Sequence, residues 1–192
     1  MNQMLALPTY TADDLLKMPD GDRYELVDGH LVEHNMSTLA CWIAGELLAI
    51  LRNYCRAQRL GWVFPADTTF QCFPGRPNLV RKPDASFIRI GRFPYEQLPT
   101  QGHTPIAPDL LAEVVSPNDV FEEVLTKVQE YLGAGVRLVW VVSPATRTVL
   151  IYRADGSIGG VREGGELDAE DVVQGFRCPV RDLFPPTVTA AP

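Results

Sequence analysis

The most informative acidic residue of the chain is Glu113, which interrupts the apolar run 110–115. Such a run predicts a short buried strand, and a carboxylate within a buried strand is costly unless it is paired or bound to a cation. Asp84 begins the preceding predicted strand, directly after Pro83. Adjacent strands lie about 5 Å apart, so the two side chains can converge on one ion. Carboxylate oxygens suit a hard cation, and the sequence therefore predicts a Mg²⁺ or Mn²⁺ site at Asp84 and Glu113.

Both acidic residues also have a structural interpretation. Asp84 follows a proline and could simply start a strand or cap a turn. Glu113 could form a buried ion pair with Lys127 or Arg81, although such pairs are weak stabilisers and an apolar pair would often serve as well. These alternatives stay open at the level of sequence.

The elements that must position these residues follow from apolar periodicity and turn residues. In chain order the sequence predicts a helix at 12–18, a hairpin of strands 24–27 and 31–33, a long helix at 37–59, strands at 62–72 and 84–90, a strand at 110–115, a helix from 118 or 119 to 131, a strand at 137–143, and a hairpin of strands 148–153 and 157–161. Thr11 and either Asn118 or Asp119 are the expected N-caps of the first and last helices, and Gly61 is expected to end the long helix.

The strand-helix-strand connection across 110–143 indicates an α/β fold with a mixed central sheet flanked by helices. A chain of 192 residues suits one domain. We expect its core at about 22–153, followed by a C-terminal hairpin and a loop-rich tail at 154–192, in which 180–184 forms a short turn.

The charge and the termini constrain the partners. A net charge of −7 argues against non-specific binding to nucleic acid, although a bound cation would reverse the local sign at a carboxylate cluster. The N-terminal apolar patch is interrupted at Pro8 and lacks a basic leader. We therefore expect a cytoplasmic protein with no membrane partner.

Other reactive side chains carry less information. The four cysteines form no C-x-x-C pair and are expected to be apolar structural thiols: Cys41, Cys55, Cys72 and Cys178. The histidines have no ligand spacing and are expected at the surface, outside the site: His30, His34 and His103. A basic cluster flanks the Asp84 strand and is either a solvated loop or a set of phosphate contacts: Arg76, Arg81, Lys82, Arg89 and Arg92.

Four segments, in this order and spacing, resemble the PD-(D/E)XK nuclease superfamily, in the branch known as the Uma-two family of restriction-endonuclease-like proteins. The segments are Tyr24 to Gly29, Arg81 to Asp84, Pro108 to Pro117, and Lys127 to Tyr131 leading into Gly135 to Trp140. The resemblance covers nearly the whole chain and implies a restriction-endonuclease-like core.

The resemblance also implies roles for individual residues. Asp84 and Glu113 would be metal ligands, and the main-chain carbonyl of Val114 would complete the coordination. Glu25 would be a further catalytic carboxylate that binds the same or a second metal ion, the alternative being a solvated hairpin residue.

The third signature residue of the superfamily departs from its usual place. A lysine normally stands two residues after the acidic residue, where this sequence has Val115. Lys127 on the following helix is expected to take its place.

The function implied is that of a Mg²⁺- or Mn²⁺-dependent endonuclease that hydrolyses DNA phosphodiester bonds, leaves 5′-phosphate ends and acts as a homodimer. The missing lysine and the acidic charge favour an alternative, a catalytically inactive nuclease-fold module for nucleic-acid binding or protein interaction. A metal-dependent hydrolase of a smaller phosphate ester is a third hypothesis.

Overall fold

The computed structural model describes residues 9–186. Its α-helices are α1 (Ala12–Lys17), α2 (Thr38–Gln58) and α3 (Phe121–Gly133). Its strands are β1 (Tyr24–Val27), β2 (His30–Glu33), β3 (Gly61–Pro65), β4 (Ala85–Arg89), β5 (Leu110–Val114), β6 (Leu138–Ser143), β7 (Thr148–Arg153), β8 (Ile158–Arg162), β9 (Glu166–Asp168) and β10 (Arg177–Pro179). Short 3-10 turns occur at Gly21–Arg23, Tyr95–Gln97 and Val180–Leu183.

A mixed six-stranded sheet forms the centre of the fold, in the order β3-β4-β5-β6-β7-β8. The β5–β6 pair is parallel, and the other neighbouring pairs are antiparallel. The parallel pair is joined by α3, as the strand-helix-strand pattern of the sequence requires. The predicted α/β class with a mixed sheet is confirmed.

The two long helices cover opposite faces of this sheet. Alternate residues of β5 point to opposite sides, so Leu110 and Ala112 belong to the apolar cluster beneath α2, and Leu111 belongs to the cluster beneath α3. Glu113 therefore lies on the α3 side. The strands β5 and β6 are buried on both faces, which explains their lack of polar alternation.

Local sequence signals account for the helix starts. The side chain of Thr11 accepts a hydrogen bond from the backbone of Asp14, whose carboxylate accepts one from the Thr11 N–H, so α1 begins in a capping box. Ser37 caps α2 through the Ala40 N–H. The predicted cap of α3 is wrong: Val120 is the N-cap and makes no side-chain bond, because Asp119 instead accepts the Ser116 N–H.

The helix α2 ends within one residue of the predicted position, but the residue predicted to end it is wrong. Gln58 is its last residue, and the C-cap is Arg59 in the left-handed conformation. Gly61 is the first residue of β3, where an added Cβ would lie 2.1 Å from the Ile88 carbonyl oxygen. Glycine is thus required by close strand approach and not by the helix end.

The predicted strand 62–72 is too long. Regular pairing stops at Pro65, and Phe70 makes isolated bridges to Arg81 and Thr104. Pro65 has no N–H to continue a ladder, and the turn that follows carries the chain away from β4.

The C-terminal segment contains more structure than the predicted loop-rich tail. Strands β9 and β10 form an antiparallel hairpin, and Val173, Phe176, Val180 and Leu183 belong to the same core cluster as the inner face of α2. The core therefore extends well beyond residue 153. Of the helices formed by residues 9–186, none is long and apolar enough to cross a membrane.

Candidate active site

Asp84 lies at the start of β4, beside β5. Its main-chain N–H donates to the Ala112 carbonyl at 3.0 Å, and its Oδ2 accepts the Val114 N–H at 2.6 Å. These bonds fix the carboxylate where β4 begins beside the end of β5. Its Oδ1 is buried and has no hydrogen-bond partner, with His34 Nε2 at 3.9 Å.

The electrostatic surroundings of Asp84 are unfavourable to a free carboxylate. Burial raises the pKa of Asp84 well above its ordinary value, the nearby Glu113 charge adds to that increase, and the Val114 N–H and Lys127 oppose it. A buried anion with an unpaired oxygen beside a second anion is the arrangement that a cation relieves.

Glu113 sits near the end of β5 and is only 7% exposed. The Tyr131 hydroxyl donates to Glu113 Oε1 at 2.7 Å, and Lys127 Nζ lies 3.5 Å from Oε2. Burial raises the pKa of Tyr131 well above its ordinary value, so the phenol keeps its proton and remains a donor. The ion pair proposed from sequence as an alternative is therefore present, with Lys127 and not with Arg81.

Lys127 reaches the carboxylates from the second turn of α3. Its Nζ lies 3.0 Å from Glu25 Oε2 and so bridges Glu25 and Glu113. Burial lowers the pKa of Lys127, but the charges of Glu113 and Glu25 outweigh burial, and the pKa is raised above its ordinary value. The ammonium is therefore charged at neutral pH.

Glu25 is buried on β1, with 1% of its surface exposed, so its interpretation as a solvated hairpin residue is wrong. Its Oε1 accepts the Lys82 N–H at 2.8 Å, and its Oε2 accepts a bond from Arg81 at 2.9 Å. Burial raises the pKa of Glu25, but Lys127, Arg81 and the Lys82 N–H together lower it below its ordinary value.

These side chains open into one cavity of about 210 Å³. Glu25, Asp84, Glu113, Val114 and Lys127 all line it. Every residue assigned to the site from sequence thus meets at one place, although the residues come from β1, the position directly before β4, β5 and α3.

The donor set fits a metal ion at Asp84 and Glu113 more simply than at Glu25. Among residues 9–186, no group of three or more Asp, Glu, His or Cys side chains is placed to hold an ion. Glu25 has both oxygens engaged by cations and an amide, whereas Asp84 Oδ1 is unpaired. The role of Glu25 as a metal ligand therefore stays a prediction of the family resemblance, while the oxygen without a hydrogen-bond partner belongs to Asp84.

Comparison with known proteins gives the site its context. Residues 12–181 match the model of the Uma2 family, which is described as "Putative restriction endonuclease". The chain belongs to the Uma2 family. The family resemblance drawn from the sequence is confirmed.

One solved structure shows the same fold as this Uma2 protein. It is the crystal structure of a protein from Anabaena variabilis ATCC 29413, described as a putative nuclease belonging to DUF820. It is 22% identical in sequence, with a TM-score of 0.74, and the alignment covers 91% of this chain and 97% of that chain. No match was found among curated proteins.

His34 belongs to the site of this Uma2 protein, contrary to the sequence-based expectation. It lines the same cavity beside Asp84, and burial lowers its pKa below the ordinary value. Its sequence position just after the β1–β2 hairpin gave no ligand spacing that could have identified it. His103 is also buried, and its ring nitrogens contact Thr69 Oγ1 and the Ala12 carbonyl.

The predicted basic cluster does not form a free phosphate-binding surface. Arg81 is buried between Glu25 and Glu130, and Lys82 is buried and donates to the Asp22 carbonyl. The less buried members are engaged too: Arg76 pairs with Asp28 and Glu130, Arg89 donates to the Asp171 carbonyl, and Arg92 pairs with Asp109.

The cysteines are free thiols, as expected in the absence of any paired spacing. Cys55 and Cys178 are buried, and Cys72 is partly buried. Cys41 is exposed on α2, so the expectation of an apolar structural role is wrong for this residue.

Proposed function

We propose that this Uma2 protein is a Mg²⁺- or Mn²⁺-dependent endonuclease that hydrolyses phosphodiester bonds of DNA. The observation that carries the proposal is the buried, unpaired Oδ1 of Asp84 beside Glu113 in an open cavity. In a purely structural site a buried carboxylate oxygen is expected to be hydrogen-bonded, and an apolar residue would often serve as well.

Asp84 and Glu113, with the Val114 carbonyl, are the residues that would hold the ion. When bound, a divalent cation polarises a phosphoryl oxygen and lowers the pKa of a coordinated water. The Val114 N–H holds Asp84 Oδ2, and the Tyr131 hydroxyl holds Glu113 Oε1, so one oxygen of each carboxylate is oriented by the protein. This second layer of bonds fixes the direction in which the remaining oxygens point.

Lys127 would supply positive charge at the scissile phosphate. Because its pKa is raised, the ammonium cannot act as a proton acceptor near neutral pH, and we assign it to stabilising negative charge that develops on the phosphoryl oxygens. Glu25 is assigned to positioning that ammonium through the 3.0 Å contact. Arg81 in turn compensates the charge of Glu25.

The test is metal-dependent nicking of supercoiled plasmid, with linear duplex and single-stranded DNA as further substrates. The wild-type protein should cut the DNA in the presence of Mg²⁺ or Mn²⁺ and should not cut it in the presence of EDTA. Asp84→Asn and Glu113→Gln should abolish cleavage, and Lys127→Met should reduce the rate about 10²- to 10³-fold, as loss of one preorganised charge-stabilising donor does. Glu122→Gln, an exposed change on the same helix, is the matched control and should cut normally.

A catalytically inactive module is the second candidate. Val115 stands where the superfamily lysine is expected, and Lys127 is already bound by two carboxylates, which favours this alternative. It predicts DNA or protein binding that is equal in Asp84→Asn and wild type, without cleavage on any substrate. Cleavage of a nucleotide but of no DNA would instead support the third hypothesis, a metal-dependent hydrolase of a smaller phosphate ester.

We further propose that the protein acts as a homodimer, so that each strand of a duplex meets one site. Light scattering at micromolar concentration tests this state directly. A monomer that introduces only single-strand nicks would contradict it.

A further inference from the structure

A second cavity, of about 410 Å³, lies at the C-terminal end of α2 against the edge strand β3. Three arginines, Arg52, Arg56 and Arg59, line it together with Trp62 and Ile90. The described residues that form its wall include no aspartate or glutamate. Its volume is in the range of small-ligand sites, and its wall combines cationic with apolar and aromatic surface.

These three arginines differ from most of the others in the chain. Elsewhere in residues 9–186 arginines are generally matched to carboxylates, as in the pairs of Arg23 with Glu33 and Arg147 with Glu163. No ion pair joins Arg52, Arg56 or Arg59 to any described acidic side chain. Three unmatched positive charges in one cleft are unexpected in a protein of net charge −7.

The local structure directs the three side chains to the same end of the molecule. Arg52 and Arg56 are four residues apart and share one exposed face of α2. Arg59 follows in the left-handed cap residue. The helix dipole favours a cation in the last turn, which accounts for Arg56 but not for Arg52 on the preceding turn.

The cleft is remote from the proposed cleavage site. Arg89 pairs with Gly61 at the cleft end of β4, whereas Asp84 precedes the other end of the same strand. Along α2, the Ser37 end contacts Ser116 beside the cleavage cavity. Arg52 and Arg56 lie roughly 20 to 27 Å further along the helix, at about 1.5 Å per residue.

An exposed stripe of α2 that carries no acidic residue runs from Trp42 to the arginines. Trp42 is 52% exposed, and a Cβ added at Gly45 would meet no atom within 4 Å. Ala49 is exposed as well. Trp42, Gly45, Ala49, Arg52 and Arg56 recur at three- and four-residue intervals and so lie along one stripe of the helix.

We infer that the arginine cleft, defined by Arg52, Arg56 and Arg59 with Trp62, binds phosphate groups of a nucleic-acid strand at a position away from the bond that is cut. The inference rests on the proposed function, because the strand is the proposed substrate. Guanidinium groups contact phosphate oxygens in a paired, planar geometry. Such contacts set affinity and position without reading sequence.

The experiment measures DNA affinity separately from cleavage. The Asp84→Asn protein, full length, is titrated against a fluorescent single-stranded 30-mer and the matching duplex by anisotropy, from 50 to 300 mM NaCl. Adding Arg52→Gln, Arg56→Gln and Arg59→Gln should weaken binding about tenfold or more. Each lost phosphate contact makes the slope of log affinity against log salt less negative by about 0.7 on a single strand and about 0.9 on a duplex. Loss of three contacts should therefore change this slope by about 2 to 3.

The matched control removes three exposed arginines that each have an acidic partner: Arg23→Gln, Arg177→Gln and Arg181→Gln. It changes the net charge by the same amount, and its affinity should stay within about twofold of the Asp84→Asn parent. Circular dichroism melts of both triple variants verify folding.

Several outcomes overturn the inference. Equal weakening by the two triple variants would assign the effect to net charge alone. Unchanged DNA binding with an altered light-scattering mass would make the cleft an interface between copies of the chain, and unchanged DNA binding with lost affinity for a free nucleotide would make it a small-molecule site. If the arginine triple variant binds DNA as tightly as its Asp84→Asn parent, while the wild-type protein cuts DNA and Asp84→Asn does not, this inference fails and the proposed function stands. If the triple variant loses affinity but the wild-type protein cuts no DNA, the inference stands and the proposed function fails.

Discussion

Asp84 and Glu113 are both buried carboxylates, but their hydrogen bonds give them different characters. Each has one oxygen held by a neutral donor of the protein. The other oxygen of Glu113 faces Lys127, whereas that of Asp84 has no donor. A structural ion pair explains the burial of Glu113 and leaves Asp84 unexplained, so Asp84 is the more diagnostic of the two.

The first prediction concerns the pH dependence of stability. Because the pKa of Asp84 is raised in the folded protein, the folded state keeps a proton that the unfolded chain releases near pH 4. Without metal, this group therefore stabilises the fold at low pH, and the contribution is lost as pH rises through the raised pKa. A divalent cation binds the deprotonated form, so the increase in Tm on adding Mg²⁺ or Mn²⁺ should grow with pH.

At a cation concentration of about 100 Kd the stabilisation should be about 2.7 kcal/mol, which is roughly 5–10 °C in Tm for a chain of this size. Calorimetry at pH 5 and pH 8 measures it. Asp84→Asn should remove the cation effect and, without metal at pH 8, be at least as stable as wild type. A cation-dependent Tm increase that persists in Asp84→Asn would refute the assignment.

Much of the arrangement of this cavity could be predicted from the sequence, because few acidic residues lie within apolar strands. Glu113 stood out as an acid in an apolar strand, and the β4–β5 pairing that brings Asp84 beside it follows from strand adjacency. His34 and Tyr131 could not be identified in the same way. Each reaches the site from a separate element, and its contact depends on the packing of that element against the sheet.

Arg81 connects three parts of the chain that carry the site. It lies between β1 and β4 in sequence, and its guanidinium contacts Glu25 on β1 and Glu130 on α3 at 2.9 and 2.6 Å. Lys127 is on the same helix as Glu130, so this connection also determines where Lys127 is held. Arg81 is 5% exposed, and its charge is balanced by two buried carboxylates.

The second prediction is that Arg81→Met strongly destabilises the fold. Loss of one member of a buried charged network leaves uncompensated charge and costs about 3–5 kcal/mol. In thermal unfolding this corresponds to a fall in Tm of roughly 6–20 °C for a chain of this length. Arg177→Met, which removes two exposed ion pairs, is the control and should melt like wild type.

A change in Arg81→Met no larger than that in Arg177→Met would show that water replaces the guanidinium without cost and that the network has no structural role. Urea unfolding monitored by tryptophan fluorescence gives an independent free energy for both variants.

The sequence predicts whether a segment is a helix or a strand where its apolar residues repeat regularly. It does not predict with the same accuracy which residue ends the helix or strand, or why. The apolar repeat of α2 and the two-sided burial of β6 mark those elements clearly. The sequence predicts Gly61 as a helix end because glycine often ends helices, whereas its actual constraint is the Ile88 carbonyl across the β3–β4 pair. That constraint comes from a neighbouring strand and is absent from the local sequence.

The C-terminal segment contributes more of the core than the sequence predicts. Its short strands and many turn residues indicate loops, because a three-residue strand has no period to detect. Its apolar side chains nevertheless complete the core on the α2 side, opposite the side to which Glu113 and α3 belong. The sheet is therefore covered on one face by a helix and a distant segment together.

The third prediction follows from that packing. Phe176 is fully buried, with its ring 5.9 Å from Trp140 on β6 and 5.5 Å from Tyr54 on α2. Phe176→Ala should cost about 3–5 kcal/mol in the free energy of unfolding, because the large cavity left between a strand and a helix cannot close. Ile158→Ala, at a side chain that is 65% exposed, is the control and should change stability by less than about 0.5 kcal/mol.

Chemical denaturation of the two variants checks this prediction. The shape of the unfolding curve also shows whether the C-terminal segment unfolds together with the rest of the core. If the C-terminal segment is part of the cooperative core, Phe176→Ala should shift the whole transition to lower urea with an unchanged slope. A separate early transition, with the main one unmoved, would mean that residues 166–184 unfold independently of the sheet. In that case the α2 face would remain stable without them, and the core would end near residue 153 as the sequence pattern suggested.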